Sequence, residues 1–319
     1  MKTRIVTSGS SYLDIDGYAC TIGYSELLNL QGVRAIAATS APFNYSISKG
    51  ILALGKKIEM QKEIPPGLKV DFTIMDVSNP NFFDGIVQDD LVLEVYDHHV
   101  GFEDYWHERI GERAKIEFIG CAATLIFEEW EKAGLTQQMS PETAKILVAA
   151  ILDNTLNFTA SVTDARDIMA KEKLCSLAGI DKNWEEGYFT ECQEIIEHDL
   201  VSAIRKDAKT DCDTPGLPKV IGQITIWDAK KLLLNRASIN SALGQWGSNW
   251  MLNIICIKDS KGYIVCEDIE SQLGLCDIFG IEFENGIATM EKAMLRKELI
   301  KTATNYKASL CSTDAIKRD

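Results

Sequence analysis

Four short apolar runs, Arg4–Ser8, Val33–Ala38, Val70–Met75 and Leu91–Tyr96, alternate with segments long enough to be helices. Strands separated in this way cannot close tight hairpins; they pair in parallel, and the intervening helices cover the sheet. Helices are expected at Gly17–Leu30, Ala122–Ala133 and Pro141–Leu152, the last with Ser140 as N-cap and Pro141 at its first position. Around Glu191–Pro218 the apolar period fades, and KDAKTDCDTPGLPK gathers the Asp, Pro and Gly expected of a linker. Val220–Trp227, Trp250–Ile257 and Gly262–Glu267 then read as strands of a smaller α/β domain. A chain of 319 residues suits two domains. The division expected is 1–190, a linker over 191–216, and 217–319.

A net charge of −14 repels polyanions at a distance, which argues against a nucleic-acid polymer as partner. Binding phosphate locally would then require metal ions or a few placed cations. The start, MKTRIVTSGSSYLDID, lacks the apolar stretch of a signal peptide, and no window nears the roughly 18 apolar residues of a membrane span. A cytoplasmic protein without a membrane partner is expected. The nine cysteines (20, 121, 175, 192, 212, 256, 266, 276 and 311) are odd in number and form no CxxC pair. Reduced, buried thiols are expected rather than a zinc or disulfide framework.

The strand ends carry the chemistry. Asp14 and Asp16 follow the first run, Asp76 the third and Asp97-His98-His99 the fourth. Ligands of an open parallel sheet bind at the carboxyl ends of its strands, so groups far apart in sequence can meet there. Two carboxylates one residue apart can face two hard cations or share one, although a solvated loop with a capping Asp has the same pattern. Imidazole beside carboxylate suits manganese, iron, cobalt or zinc better than calcium, and of two adjacent histidines one can hold metal while the other acts on substrate. Asp76 and Asp153 each close an apolar segment, Phe72–Met75 and Ala149–Leu152, where a bare carboxylate must be solvated, capped or coordinated. Together these groups could supply a carboxylate-rich dinuclear centre.

The order Asp-x-Asp, lone Asp, Asp-His-His and fourth Asp resembles the DHH phosphoesterase family. Gly120-Cys121-Ala122-Ala123-Thr124, and Leu152–Phe158 followed by Thr163-Asp164, stand in family-like positions. Members that cleave oligonucleotides carry a glycine-rich GGGH-type motif, which this chain lacks. Lys206-Asp207-Ala208-Lys209 and Leu295-Arg296-Lys297-Glu298 are similar instead to the family II inorganic pyrophosphatases and related exopolyphosphatases, whose C-terminal domain is of the DHHA2 type.

The resemblance implies an α/β fold: an N-terminal parallel-sheet domain with helices on both faces, a smaller C-terminal domain, and an active site in the cleft between them. It implies hydrolysis of pyrophosphate or short polyphosphate by a metal-bridging hydroxide. A nucleotide phosphoesterase and a non-catalytic phosphate- or protein-binding member are the alternatives. Asp14, Asp16, Asp76, His98 and Asp153 would hold two divalent cations, manganese first and cobalt or magnesium next, with Asp76 as the bridge. His99 would contact the scissile phosphate or protonate the leaving oxygen, and Asp97 would orient a histidine. Lys209, Arg296 and Lys297 would hold the leaving phosphate. Ser10 stands where these pyrophosphatases have a histidine ligand and the related exopolyphosphatases an asparagine, so one metal site should be weaker, with Ser10 holding water or a phosphate oxygen. The implied partner is a small phosphate-containing substrate, with a homodimer left open.

Overall fold

The computed structural model describes residues 2–60, 63–64 and 67–316. The chain forms two compact units, Met1–Glu191 and Cys192–Asp319. The first runs β1 (Thr3–Thr7), α1 (Ile15–Leu30), β2 (Ala35–Thr39), α2 (Lys49–Ala53), β3 (Glu59–Met60), β4 (Val70–Met75), β5 (Val92–Asp97), α3 (Glu103–Ile110), β6 (Ala114–Ile116), α4 (Ala122–Ala133), α5 (Pro141–Asn154), α6 (Ala165–Ala178) and the start of α7 (Lys182–His198), a helix that continues past Glu191. Its sheet has the order β3-β2-β1-β4-β5-β6, with every neighbouring pair parallel. The direction of strand succession reverses between β1 and β4, which opens a crevice at their carboxyl ends.

Ile5, Phe72, Ile74 and Val95 pack with Phe83, Ile86 and the fully buried Trp106 of α3. The other cover comes from α1, which lies against β1, β2 and β4 and against α4 and α5. Small residues let α1 sink so deep. A Cβ on Gly23 would meet Leu147 at 3.4 Å and Ile126 at 3.5 Å, and the Gly23 carbonyl accepts the Trp130 indole N–H at 3.0 Å. Burial on nearly every side of α1 removes the polar stripe that usually marks a surface helix.

The second unit runs α8 (Leu200–Lys206), β7 (Val220–Ile226), α9 (Lys230–Leu234), α10 (Arg236–Leu243), β8 (Trp250–Cys256), β9 (Lys261–Val265), α11 (Ile269–Phe279), β10 (Phe283–Glu284), β11 (Ile287–Met290) and α12 (Arg296–Ile316). Its sheet is mixed, in the order β10-β11-β9-β8-β7, with only β7 and β8 parallel. All seven residues of β8 are buried, as befits a strand with neighbours on both edges and Ile221, Ile264, Leu275 and Leu299 in the same core.

The segment 191–216 expected to be a linker is helical as far as Lys206. Asp199 caps α8 by accepting the Ser202 N–H, and Leu200, Ala203 and Ile204 are buried at helical spacing. The Asp, Pro and Gly composition that suggested a linker belongs to 207–219 alone, and even there Lys209 pairs with Ile221 in a β-bridge. Eight of the cysteines are free thiols; Cys311 lies outside the residues whose side chains are described.

The cap of α5 is fastened by one carboxylate of α1. Glu26 accepts the Ser140 N–H at 2.8 Å, the Ser140 hydroxyl at 2.9 Å and the Thr143 hydroxyl at 2.5 Å, and pairs with Lys56 at 2.6 Å. Burial pushes the Glu26 carboxyl up, but these donors and the Lys56 charge outweigh it and hold it below its usual value. Its contribution is therefore complete above about pH 4.3 and is lost as pH falls through the lower folded value. Glu26→Gln should destabilise the protein by about 1–3 kcal/mol at neutral pH. Thermal melts should also show a shallower loss of stability below pH 4 in the variant; parallel pH profiles would contradict this.

Candidate metal centre

Every site residue of the first unit leaves a carboxyl end of the sheet or the end of an adjoining helix. Asp14 is the N-cap of α1, its carboxylate accepting the Gly17 N–H at 3.0 Å. Gly17 itself has no room for a side chain: a Cβ would stand 2.8 Å from the Ser8 hydroxyl and 2.9 Å from Leu13. Asp76 follows β4 with a left-handed φ of 59°, a conformation that costs a non-glycine residue on the order of 1 kcal/mol and is held here by its N–H on the Tyr96 carbonyl at 2.8 Å. Asp97 ends β5 with its carboxylate wholly buried.

Three of these groups meet closely. Single donor atoms of Asp76, His98 and His99 lie within 4.8 Å of one another. Asp76 Oδ1 is 3.3 Å from His98 Nε2 and 3.7 Å from His99 Nδ1. Asp16 Oδ2 stands 3.8 Å from His98 Nε2. His98 turns its other nitrogen, Nδ1, to the Ile119 carbonyl at 3.0 Å. A carbonyl only accepts, so the proton sits on Nδ1 and the Nε2 lone pair faces Asp76 and Asp16. Asp97 Oδ1 accepts both the His99 N–H at 3.0 Å and its ring Nδ1–H at 2.9 Å, which points the remaining ring nitrogen away from Asp97.

Asp16 is buried beneath the start of α4. Its two oxygens accept the N–H groups of Ala122 and Ala123, each at 2.9 Å, and the Cys20 thiol lies 3.3 Å from Oδ1. A helix N-terminus offers such N–H groups and a favourable dipole to an anion. Asp153, in the last turn of α5, accepts the Tyr188 hydroxyl at 3.2 Å. Immediately beyond it Leu156, Asn157 and Phe158 are all left-handed, with φ of 50°, 52° and 67°. The Asn157 N–H on the Leu152 carbonyl at 2.7 Å and the Phe158 N–H on the Thr155 hydroxyl at 3.1 Å hold that turn.

Anions crowd here, and among the described residues no lysine or arginine stands in the causes that shift them. Burial, then the Asp16 charge, pushes the Asp14 carboxyl up. Burial, then Asp16 and Asp14, pushes Asp76 well above the usual range, and burial with Asp14 pushes Asp153 up to about 7. Asp76 Oδ1 and Asp97 Oδ2 are buried with no hydrogen-bond partner among the described residues. A divalent cation would satisfy both shortages at once, and hard carboxylate oxygens with imidazole nitrogen form a donor set for manganese or cobalt. The residues fit such an ion.

The remaining expected residues lie elsewhere. Ser10 is exposed on the loop after β1, its N–H donating to the Phe82 carbonyl at 2.9 Å. Lys209, Arg296 and Lys297 belong to the second unit. There Lys209 and Lys297 are exposed, while Arg296 donates to the Asp207 carboxylate at 2.7 Å, to the Asp207 carbonyl and to the Ile221 carbonyl at 3.2 Å. Sequence reasoning missed the Ile119 carbonyl, the Ala122 and Ala123 amides and the Tyr188 hydroxyl. Backbone groups leave no mark in a list of side chains; the one available signal was the small-residue run Gly120–Ala123.

No family model matches the chain. It is similar over nearly its whole length to proteins named manganese-dependent inorganic pyrophosphatase. One from Deinococcus radiodurans is 27% identical, across 92% of this chain and 95% of its own. Another from Methanothrix thermoacetophila is 23% identical, across 94% and 97%. Among solved structures, a Methanococcus jannaschii protein described as a family II inorganic pyrophosphatase shares the fold with a TM-score of 0.65 at 18% identity, covering 95% of this chain and 99% of its own. An exopolyphosphatase-related protein from Bacteroides fragilis follows with a TM-score of 0.50 at 14% identity, covering 96% and 91%.

The raised carboxyls set the stability of the metal-free protein. Between about pH 3.9, where an unfolded Asp titrates, and about 7, the folded Asp153 carries the larger share of protons. Stability in chelator should therefore fall as pH climbs through that window, with Asp14 and Asp76 adding in the same direction. Asp153→Asn should raise the metal-free thermal midpoint at pH 8 and flatten the slope. A wild-type profile that is level or rises from pH 5 to 8 would contradict the crowding.

Proposed function

We propose that this chain hydrolyses phosphoric anhydrides, inorganic pyrophosphate first among them, with two divalent cations held by Asp14, Asp16, Asp76, His98 and Asp153. The observation that carries it is Asp76 Oδ1, buried without a hydrogen bond among the described residues and lying 3.3 Å from His98 Nε2 and 3.7 Å from His99 Nδ1. Similarity to manganese-dependent pyrophosphatases along the chain supports both the reaction and the metal. Once bound, the cations would offset charge on phosphate oxygens and bring the pKa of a water ligand toward neutrality.

The chain's own residues divide the remaining work. His98 is locked by Ile119 to present Nε2 to the cation. His99 is more than half exposed, and the Asp97 hydrogen bond, joined by the Asp76 charge, lifts its pKa above the usual imidazole value. It is placed to hold a phosphate oxygen or, when protonated, to pass a proton to the leaving oxygen. Lys209 and Lys297 are the exposed point charges for the distal phosphate. Arg296 spends its fork on Asp207 and Ile221, and so secures the segment that carries Lys209. Ser10 would meet substrate or water rather than supply an imidazole. The substrate would be a small one, met in the cytosol; separately, among the described residues no helix is long and apolar enough to cross a membrane.

Purified protein with manganese should release phosphate from pyrophosphate faster than from nucleoside monophosphates or dinucleotides. Asp97→Ala should lower kcat by about 10²–10⁴, because His99 loses its orienting partner and its raised pKa. No phosphate release with manganese, cobalt or magnesium would overturn the proposal, and nucleoside monophosphate freed from a dinucleotide would move it to phosphodiester chemistry. Lys209→Ala and Lys297→Ala should each raise KM by about tenfold with a smaller change in kcat, as expected for loss of a substrate charge contact. An unchanged KM in both would remove the second unit from substrate binding.

A further inference from the structure

Asp167, in the first turn of α6, is wholly buried, and among the described residues its partners are neutral N–H and hydroxyl groups. Enclosing a carboxylate is costly, so its three partners define what it does. Its Oδ2 accepts the Asp164 N–H at 2.8 Å, closing the capping box of α6. That box alone does not require burial. The same oxygen also accepts the Gly120 N–H at 3.1 Å, and Oδ1 accepts the Thr124 hydroxyl at 2.6 Å. Gly120 is glycine for this reason: a Cβ there would collide with the Asp167 carboxylate and stand 2.9 Å from the Thr155 methyl.

The Gly120 N–H and the Ile119 carbonyl are the two ends of one peptide group. Asp167 therefore accepts from one end of that peptide while His98 Nδ1 donates to the other at 3.0 Å. Hydrogen bonds in series polarise one another, and a charged acceptor at one end strengthens the acceptor at the other. We infer that Asp167 is a positioning residue for the metal centre, acting on His98 through the Ile119–Gly120 peptide. A stronger carbonyl acceptor fixes the His98 tautomer and makes Nε2 the better donor to a cation. The Thr124 bond holds the far end of the same turn, whose Ala122 and Ala123 amides grip Asp16. One buried carboxylate thus sets two groups of the centre that it does not touch.

The inference rests on the proposal that His98 and Asp16 belong to a cation site, and manganese binding tests it without any turnover. Calorimetric titration of the full chain with manganese should show Asp167→Asn binding about tenfold more weakly than wild type, within the range seen for partners of metal-ligating histidines. Asparagine can still accept both N–H groups and meet the Thr124 hydroxyl, so the loss reports the missing charge. Asp167→Ala should lose more, up to about 100-fold. Asp164→Ala is the control: it removes the side-chain cap on Arg166 N–H but leaves the Asp167 to Gly120 bond, so it should lower the thermal midpoint in chelator and leave manganese affinity unchanged. Asp167→Asn with wild-type affinity would overturn the relay, even if Asp167→Ala fails to fold. Asp164→Ala weakening manganese as much as Asp167→Asn would likewise reduce Asp167 to a helix cap. Absence of manganese binding by wild type would instead remove the metal centre itself.

Discussion

Mutual repulsion among buried and half-buried carboxylates beyond the carboxyl ends of β1, β4 and β5 is the constraint around which the first unit is organised. Asp76 and Asp97 issue from strand ends, Asp14 and Asp16 stand at the start of α1, and Asp153 joins them from α5. No folded chain gains from placing such groups together in a region of low dielectric unless something of opposite charge visits it. The surrounding structure spends much of its detail on holding them there. A helix N-terminus grips Asp16, a left-handed residue aims Asp76, and a turn of three left-handed residues closes α5 just beyond Asp153. Each of these is a local cost or constraint that the core must offset.

The difference between the adjacent histidines follows from their hydrogen bonds. Both rings leave the end of one strand, yet His98 is held by a backbone carbonyl and His99 by a carboxylate. A carbonyl fixes orientation with little change of charge, which suits a ligand nitrogen. A carboxylate lifts the pKa of its partner and so favours its protonated form, which suits a group that meets anions. The pair is asymmetric because the partners differ, and the partners come from different elements: the turn before α4 and the end of β5.

Much of this was legible in the sequence. The strands at Val70–Met75 and Val220–Trp227, and the α4 and α5 helices, fall within a residue or two of expectation, because a buried parallel strand is a short continuous apolar run with a polar stop. Position relative to those stops was enough to gather Asp14, Asp16, Asp76, Asp97, His98 and His99 as candidates. What stayed hidden has a common physical cause. The Ile119 carbonyl, the Ala122 and Ala123 amides and the left-handed turn at 156–158 are main-chain features, and every residue has a main chain. The helical course of 191–206 was masked by its polar face and by the Asp, Pro and Gly that follow it. The pairing of Arg296 with Asp207 could not be foreseen from two motifs that lie 89 residues apart.

Whether this crowd of anions is a dinuclear cation centre can be read from equilibrium dialysis of the wild-type chain against manganese at neutral pH, followed by metal analysis. Two manganese ions per chain are expected, both released by chelator and both lost or weakened in Asp76→Asn. A stoichiometry of one or none, or two ions that remain unaffected by Asp76→Asn, would contradict such a centre.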